Sequence, residues 1–189
     1  PDLPKGYQIT QDEHPILLGG ELAFNIDGAE KICHIHHAHL EEDAGKSVHG
    51  YTNGKTGIDL NRAGQPLLEI VTEPCLHSVE EVIAFLKQLH TIVTYLGICD
   101  GNMQEGSFRC DVNLSLNESL DAPLGTRVEL KNMNSFKFIQ KAMEYEIGRQ
   151  TDLLESGESI VQETRLYNEA KNRTEGMRDK ENLNDYRYF

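Results

Sequence analysis

The stretch TRVELKNMNSFKFIQKAMEYEIGRQTDLLESG (residues 126–157) changes its periodicity part-way, and that change decides the fold class. From Thr126 to Lys131 apolar and charged residues alternate, with Val128 and Leu130 opposite Arg127, Glu129 and Lys131, the period of a strand with one covered face. From Ser135 the spacing turns helical. Ile139, Met143 and Ile147 recur along one side, Ser135 is a good N-cap, and Gly157 is a stop, so a helix is expected over about 135–156.

Working outward, Phe108 to Ser115 alternates just as strictly, and Ile160 to Tyr167 is again strand-like. The strands at 108–115 and 126–131, about ten residues apart, are expected to pair antiparallel. Upstream, a capping box at Ser78 and Glu81, apolar residues at Val82, Phe85, Leu89, Val93 and Leu96, and Gly97 as terminator predict a second helix over 78–96. Leu22, Phe24 and Ile26 lead into Asp27-Gly28, a strong hairpin-turn dipeptide, and Ile32 to His36 returns as the partner strand. Residues 1–19 read as irregular, 43–64 with their five glycines as an exposed excursion, and Pro66 to Val71 as a buried strand. Strands and helices mix without regular βα alternation. The expected fold class is α+β, a mainly antiparallel sheet with two long helices.

The composition narrows the function. In 189 residues there are 18 Lys+Arg against 31 Asp+Glu, a formal charge of -13, with 38% hydrophobic residues. No apolar run approaches the ~20 residues of a membrane span. Such acidity argues against a freestanding nucleic-acid binder, whose footprint is basic, and suits divalent cations or a partner with basic patches. Cys33, Cys75, Cys99 and Cys110 form no CxxC pair, so a zinc knuckle is not expected. They read as reduced thiols, most of them core packing. The chain opens on Pro1 and stops at Asp185-Tyr186-Arg187-Tyr188-Phe189, which reads as part of a longer protein.

Several clusters carry potential chemistry. If the three downstream strands are neighbours, Arg109, Asp111, Arg127, Glu129, Lys131, Glu163 and Arg165 project from one side. That is either a solvated sheet face or a ligand floor in which Arg and Lys hold phosphate oxygens while carboxylates hold a metal. The run from His34 to Asp43 is the densest group of potential ligands. Its histidines, with His34 and His36 on one strand face, suit zinc, whereas Glu41, Glu42 and Asp43 suit a hard cation such as Mg²⁺. Gly45-Lys46-Ser47 is not a P-loop, because the required earlier glycine is Leu40. A local phosphate contact by Lys46 or Ser47 stays open. Glu69 interrupts an apolar strand, where an uncompensated carboxylate is costly, so it is either a ligand or neutralised by its neighbours.

Longer motifs are more specific. PDLPKGYQITQDEHPI, HLEEDAGKSVH, DLNRAGQPLLEIVTEP, YLGICDGNMQEGSFRCDVNLSL, GTRVELKNMNSFKFIQKAMEYEIGRQ, ETRLYNEAKNRTEGMRDKE and DYRYF stand in the order and spacing of the GatB/GatE family, the B subunits of tRNA-dependent amidotransferases. The chain resembles that family over essentially its whole length. The resemblance implies part of a catalytic "cradle" domain, glutamine synthetase-like, lacking an N-terminal strand with a Glu-x-His ligand pair and the C-terminal helical and tail domains. It implies ATP- and Mg²⁺-dependent phosphorylation of the side-chain carboxylate of Glu-tRNA(Gln) or Asp-tRNA(Asn), then amidation by ammonia from the amidase subunit, in a heterotrimer completed by a third, small subunit. Its setting would be bacterial cytoplasm or an organellar matrix. A carboxylate acylates poorly, and phosphorylation supplies a leaving group, so the site's task is positioning and charge neutralisation.

Carried over by position, the family's metal-binding acids fall at Glu42 and Glu69, with Glu41 and Asp43 facing substrate or supporting them. Glu105, Ser107, Arg109, Asp111, Glu129, Lys131 and Asn132 resemble the rest of the catalytic floor, with Arg109 and Lys131 the phosphate candidates and Arg165 a weaker one. His37 stands where the family commonly has Arg, and His34 where Gly is frequent. Two alternatives remain: a non-catalytic scaffold that docks amidase and tRNA, and a histidine-based zinc protein.

Overall fold

The computed structural model describes residues 7–52 and 55–177, which fall into two compact units. Within those residues the first unit takes in 7–23 and 32–75, the second 24–31 and 76–177. The outermost part of the irregular opening and the DYRYF end lie outside the described residues. No helix among the described residues is long and apolar enough to cross a membrane.

The first unit is organised on one long strand, whose first residues, with the rest of 24–31, are counted in the second. β1 (Ile9–Thr10), β2 (Leu17–Leu18) and β3 (Glu21–Ile26) precede β4 (Ala29–Glu42), which runs 14 residues, far beyond the partner strand expected at 32–36. The β3–β4 turn is Asp27-Gly28 with φ of 50° and 82°, the two left-handed residues a tight hairpin requires. On one edge β4 pairs antiparallel with β1 and β2, and on the other with β7 (Pro66–Thr72). The supposed excursion at 43–64 holds a hairpin, β5 (Lys46–Thr52) with β6 (Lys55–Asp59). Its glycines had masked the pattern. Asp43 closes the junction: its carboxylate accepts from Arg62 Nε at 2.8 Å, and its backbone exchanges hydrogen bonds with Gln65 and Gly64. Cys33 is fully buried, 3.6 Å from Cys75 Sγ, and all four cysteines are free thiols.

The second unit contains both helices, α1 (Val79–Tyr95) and α2 (Phe136–Glu155), close to their expected bounds. Ser78 and Ser135 cap them, each hydroxyl accepting from the amide three residues on at 3.1 Å. β8 (Val112–Leu114) pairs antiparallel with β9 (Val128–Lys131), as expected, but it is shorter than 108–115. Residues 99–108 form a loop instead, with Asn102 Oδ1 accepting from the amides of Gln104 and Glu105 and the Phe108 ring packed on His90 and Phe136. β10 (Glu163–Asn168) lies parallel to β9, with α2 as the crossover, and β11 (Arg173–Gly176) completes the sheet in the order β11-β10-β9-β8. The sheets are otherwise antiparallel.

That parallel register overturns one expectation. Glu163 and Arg165 pair with Val128 and Leu130, so they share the buried face rather than the face of Glu129 and Lys131. The fully buried Glu146 of α2 awaits them there. Its carboxylate accepts from Arg149 Nη2 at 2.6 Å, Gln150 Nε2 at 2.9 Å and Thr174 Oγ1 at 3.0 Å, and pairs with Arg165 Nε at 3.3 Å. Arg165 also donates to Glu163 and to both Oγ1 and the carbonyl of Thr174. Helix α2, β10 and β11 are thereby joined by a single carboxylate.

Burial alone would raise the Glu146 pKa, but the hydrogen bonds from Arg149, Gln150 and Thr174 and the Arg149 charge outweigh it and hold it below the ordinary value. Glu146→Gln removes the buried charge that Arg149 and Arg165 share, leaving both to Glu163 alone, and is expected to cost about 3 kcal/mol in urea unfolding. Because the native pKa is the lower one, the carboxylate's stabilisation is complete above about pH 4.3 and is lost as pH falls through the native value. Acid unfolding should therefore begin at higher pH for Arg165→Met, which removes one of the partners, than for the parent chain. Burial, then the hydrogen bond and charge of Cys75, push the Cys33 thiol up to about 12. In native alkylation at neutral pH followed by mass spectrometry, Cys33 should remain unmodified until the chain is unfolded.

Candidate active site

In the first unit, β4 and β7 place acids and histidine together. The register sets His39 against Glu69 and Glu41 against Leu67, so alternation sends His37, His39, Glu41 and Glu69 to one face of the sheet. His39 Nε2 lies 3.2 Å from Glu41 Oε1 and 3.4 Å from Glu69 Oε2. Gln8 Nε2 donates to the other oxygen of Glu41. His39 is buried, whereas the Glu69 side chain is 51% exposed, so the cluster opens on the Glu69 side. Burial and the neighbouring Glu41 charge raise the Glu69 pKa, against the opposing pull of His39. β7 is thus not the buried strand expected, and Glu69 is reachable from solvent.

Glu42 follows Glu41, so alternation turns it to the opposite face from Glu69. The acid standing beside Glu69 is Glu41, not Glu42. Asp43 belongs to the junction with Arg62. Lys46 and Ser47, expected in a loop, stand on β5 opposite Asp59 and Ile58.

In the second unit, the outward face of the sheet carries a smaller group. Lys131 Nζ lies 2.7 Å from Asp111 Oδ2 and 3.1 Å from Glu129 Oε1, and Thr164 Oγ1 donates to Glu129 Oε2 at 2.9 Å. Burial pulls the Lys131 pKa down, but the hydrogen bonds and charges of Asp111 and Glu129 outweigh it, so the ammonium is held firmly charged. Glu105 and Arg109 are exposed on the segment leading to β8. Arg165, once a phosphate candidate, has all three guanidinium nitrogens engaged by Glu163, Thr174 and Glu146.

Two participants escaped the sequence. His39 was one histidine in a crowded run, yet the spacing His39-x-Glu41 places both on one strand face, a signal that was available. Thr164 had no signal, because only the parallel register of β10 brings it to Glu129. Chemically, the first cluster offers converging carboxylate oxygens beside an imidazole, and the second an ammonium buttressed by two acids.

The family model for the GatB/GatE catalytic domain matches residues 1–189. The B subunit of the aspartyl/glutamyl-tRNA(Asn/Gln) amidotransferase of Legionella pneumophila (strain Corby) is 64% identical over 189 residues, which is 100% of this chain and 40% of the relative. The protein of the same name from Francisella tularensis subsp. novicida (strain U112) is 62% identical over 189 residues, again 100% of this chain and 40% of its own length. The chain therefore spans about two fifths of the length of the curated relatives it matches. With the family model covering all of it, the chain belongs to the GatB/GatE family, in the stretch that forms its catalytic domain.

Proposed function

We propose that this chain is the carboxylate-activating part of an amidotransferase B subunit, using ATP and Mg²⁺ to phosphorylate the side chain of Glu-tRNA(Gln) or Asp-tRNA(Asn) before amidation. The observation that carries this is the meeting of Glu41 and Glu69 at His39, in a domain whose relatives are named for tRNA amidotransfer. Burial first, and then the charge of Glu41 beside it, make Glu69 resist ionisation, and a hard cation relieves the repulsion between the two carboxylates. The donor set therefore fits Mg²⁺, with Glu41 and Glu69 as the residues that would hold it. Bound there, Mg²⁺ would supply neutralisation of phosphoryl charge.

The chain's own residues do the positioning. His39 fixes the orientation of both carboxylates, and Gln8 braces Glu41 from its other oxygen. In the second unit, Asp111 and Glu129 hold the Lys131 ammonium in place, where it suits an anionic oxygen of substrate or phosphate. Lys46 and Ser47 remain candidate phosphate contacts in the first unit, and Glu105 and Arg109 candidate substrate contacts in the second. Arg165 is assigned a structural role. Ammonia would come from the amidase partner in a heterotrimer that also holds a small third subunit, and the wider cradle architecture is part of the same proposal.

Substitutions in the full-length complex test this. Glu41→Gln and Glu69→Gln should each lower ATP-dependent amidation roughly 100-fold while assembly is retained. Glu42→Gln, on the opposite face, should cost less than either. Should amidation survive the first two substitutions while binding of the amidase or tRNA fails, the domain is a docking scaffold and the catalytic assignment is wrong.

A further inference from the structure

We propose a second metal site in the first unit, a transition-metal site formed by Asp12, His37 and His39 and selective for zinc-like ions. One ligand atom from each of these residues lies within 4.8 Å of the others. His37 Nε2 and His39 Nδ1 are 3.1 Å apart, close to the roughly 3.3 Å separating two nitrogens bound tetrahedrally at about 2.0 Å. Asp12 Oδ1 is 4.0 Å from His37 Nε2, and its side chain, 70% exposed, is the arm with freedom to close. Two imidazoles and one carboxylate leave the fourth tetrahedral position for water. This donor set favours Zn²⁺, Co²⁺ or Ni²⁺ over the oxygen-seeking Mg²⁺.

The surroundings are those a metal-bound histidine requires. A ring nitrogen that binds metal carries no proton, so the other nitrogen must carry it and find an acceptor. For His39 that nitrogen is Nε2, beside Glu41 Oε1 at 3.2 Å and Glu69 Oε2 at 3.4 Å. For His37 it is Nδ1, 2.6 Å from His36 Nδ1. The remaining nitrogens, His37 Nε2 and His39 Nδ1, hydrogen-bond each other at 3.1 Å, and the ion they would share with Asp12 takes the place of that proton.

A backbone irregularity makes the arrangement possible. Strict alternation would send His36 and His37 to opposite faces, but Ile35 pairs with Thr72 and His37 with Val71, so β4 carries an extra residue at His36. Such a bulge re-aims a side chain, and His36 comes to buttress its neighbour. His34, the other sequence candidate, lies instead 3.5 Å from Glu21. The site stands independently of ATP and Mg²⁺ usage. It shares His39 with the acid pair, so an ion on Nδ1 would hold the Nε2 proton toward Glu41 and Glu69.

The test is metal binding by the full-length protein following chelation. Zn²⁺ titrated against a chromogenic chelator should show one more high-affinity ion per chain in the parent than in Asp12→Asn or His37→Ala. Co²⁺ loading should give the intense visible bands of four-coordinate cobalt, lost in both variants. Glu41→Gln should weaken the same ion about 10–100-fold through loss of the acceptor. Asp12→Asn alters an exposed side chain and decides the matter if His37→Ala fails to fold. Equal zinc stoichiometry and cobalt spectra in parent and Asp12→Asn overturn the proposal, as does an ion lost only with Glu69→Gln.

Discussion

A strand presents successive side chains to opposite faces, and in both units that constraint determines which charged groups meet. In the first unit it joins Glu41, His39 and Glu69 and turns Glu42 away. In the second it joins Lys131, Glu129 and Thr164 while sending Arg165 and Glu163 inward. A shift of one residue in either register would exchange these sets entirely. Chemistry at both sites is therefore as sensitive to strand pairing as to residue identity.

Register in turn needs something to hold it. In the second unit the parallel β10 is joined to β9 only through a 20-residue helix, a connection that leaves the pairing less constrained than a tight turn does. The buried Glu146 favours the observed register, since Arg165 and Thr174 complete the partners of its carboxylate only when they stand on the helix side. A buried ion network need not add net stability over an apolar one, yet a misregistered strand would part Arg165 and Thr174 from the Glu146 carboxylate and leave it to Arg149 and Gln150 of its own helix. In the first unit, β4 performs the comparable task by pairing on both edges.

The acidity of the chain is resolved in a similar way. Many of the carboxylates are committed to cations: Glu146 to Arg149 and Arg165, Asp43 to Arg62, and Glu175 to Lys171 and Arg173. What distinguishes Glu41 and Glu69 is that they meet at a histidine and at each other with no Lys or Arg paired to them among the described residues, on a cluster open at Glu69.

The sequence by itself determined the elements and the family. Both helices announce themselves through apolar spacing and serine caps, the Asp27-Gly28 turn through its dipeptide, and the family through long motifs in fixed order. Local signals suffice there because capping and turn formation are satisfied within a few residues. The hairpin at 46–59 was hidden because glycines and polar residues blur a two-residue period. Only the tertiary structure decided which acid joins Glu69, that Arg165 turns inward to Glu146 and Glu163, that Thr164 reaches Glu129, and that a bulge gathers His36, His37 and His39. Each depends on register or on one extra residue in a ladder, a relation between strands distant in sequence that neither strand's own pattern specifies.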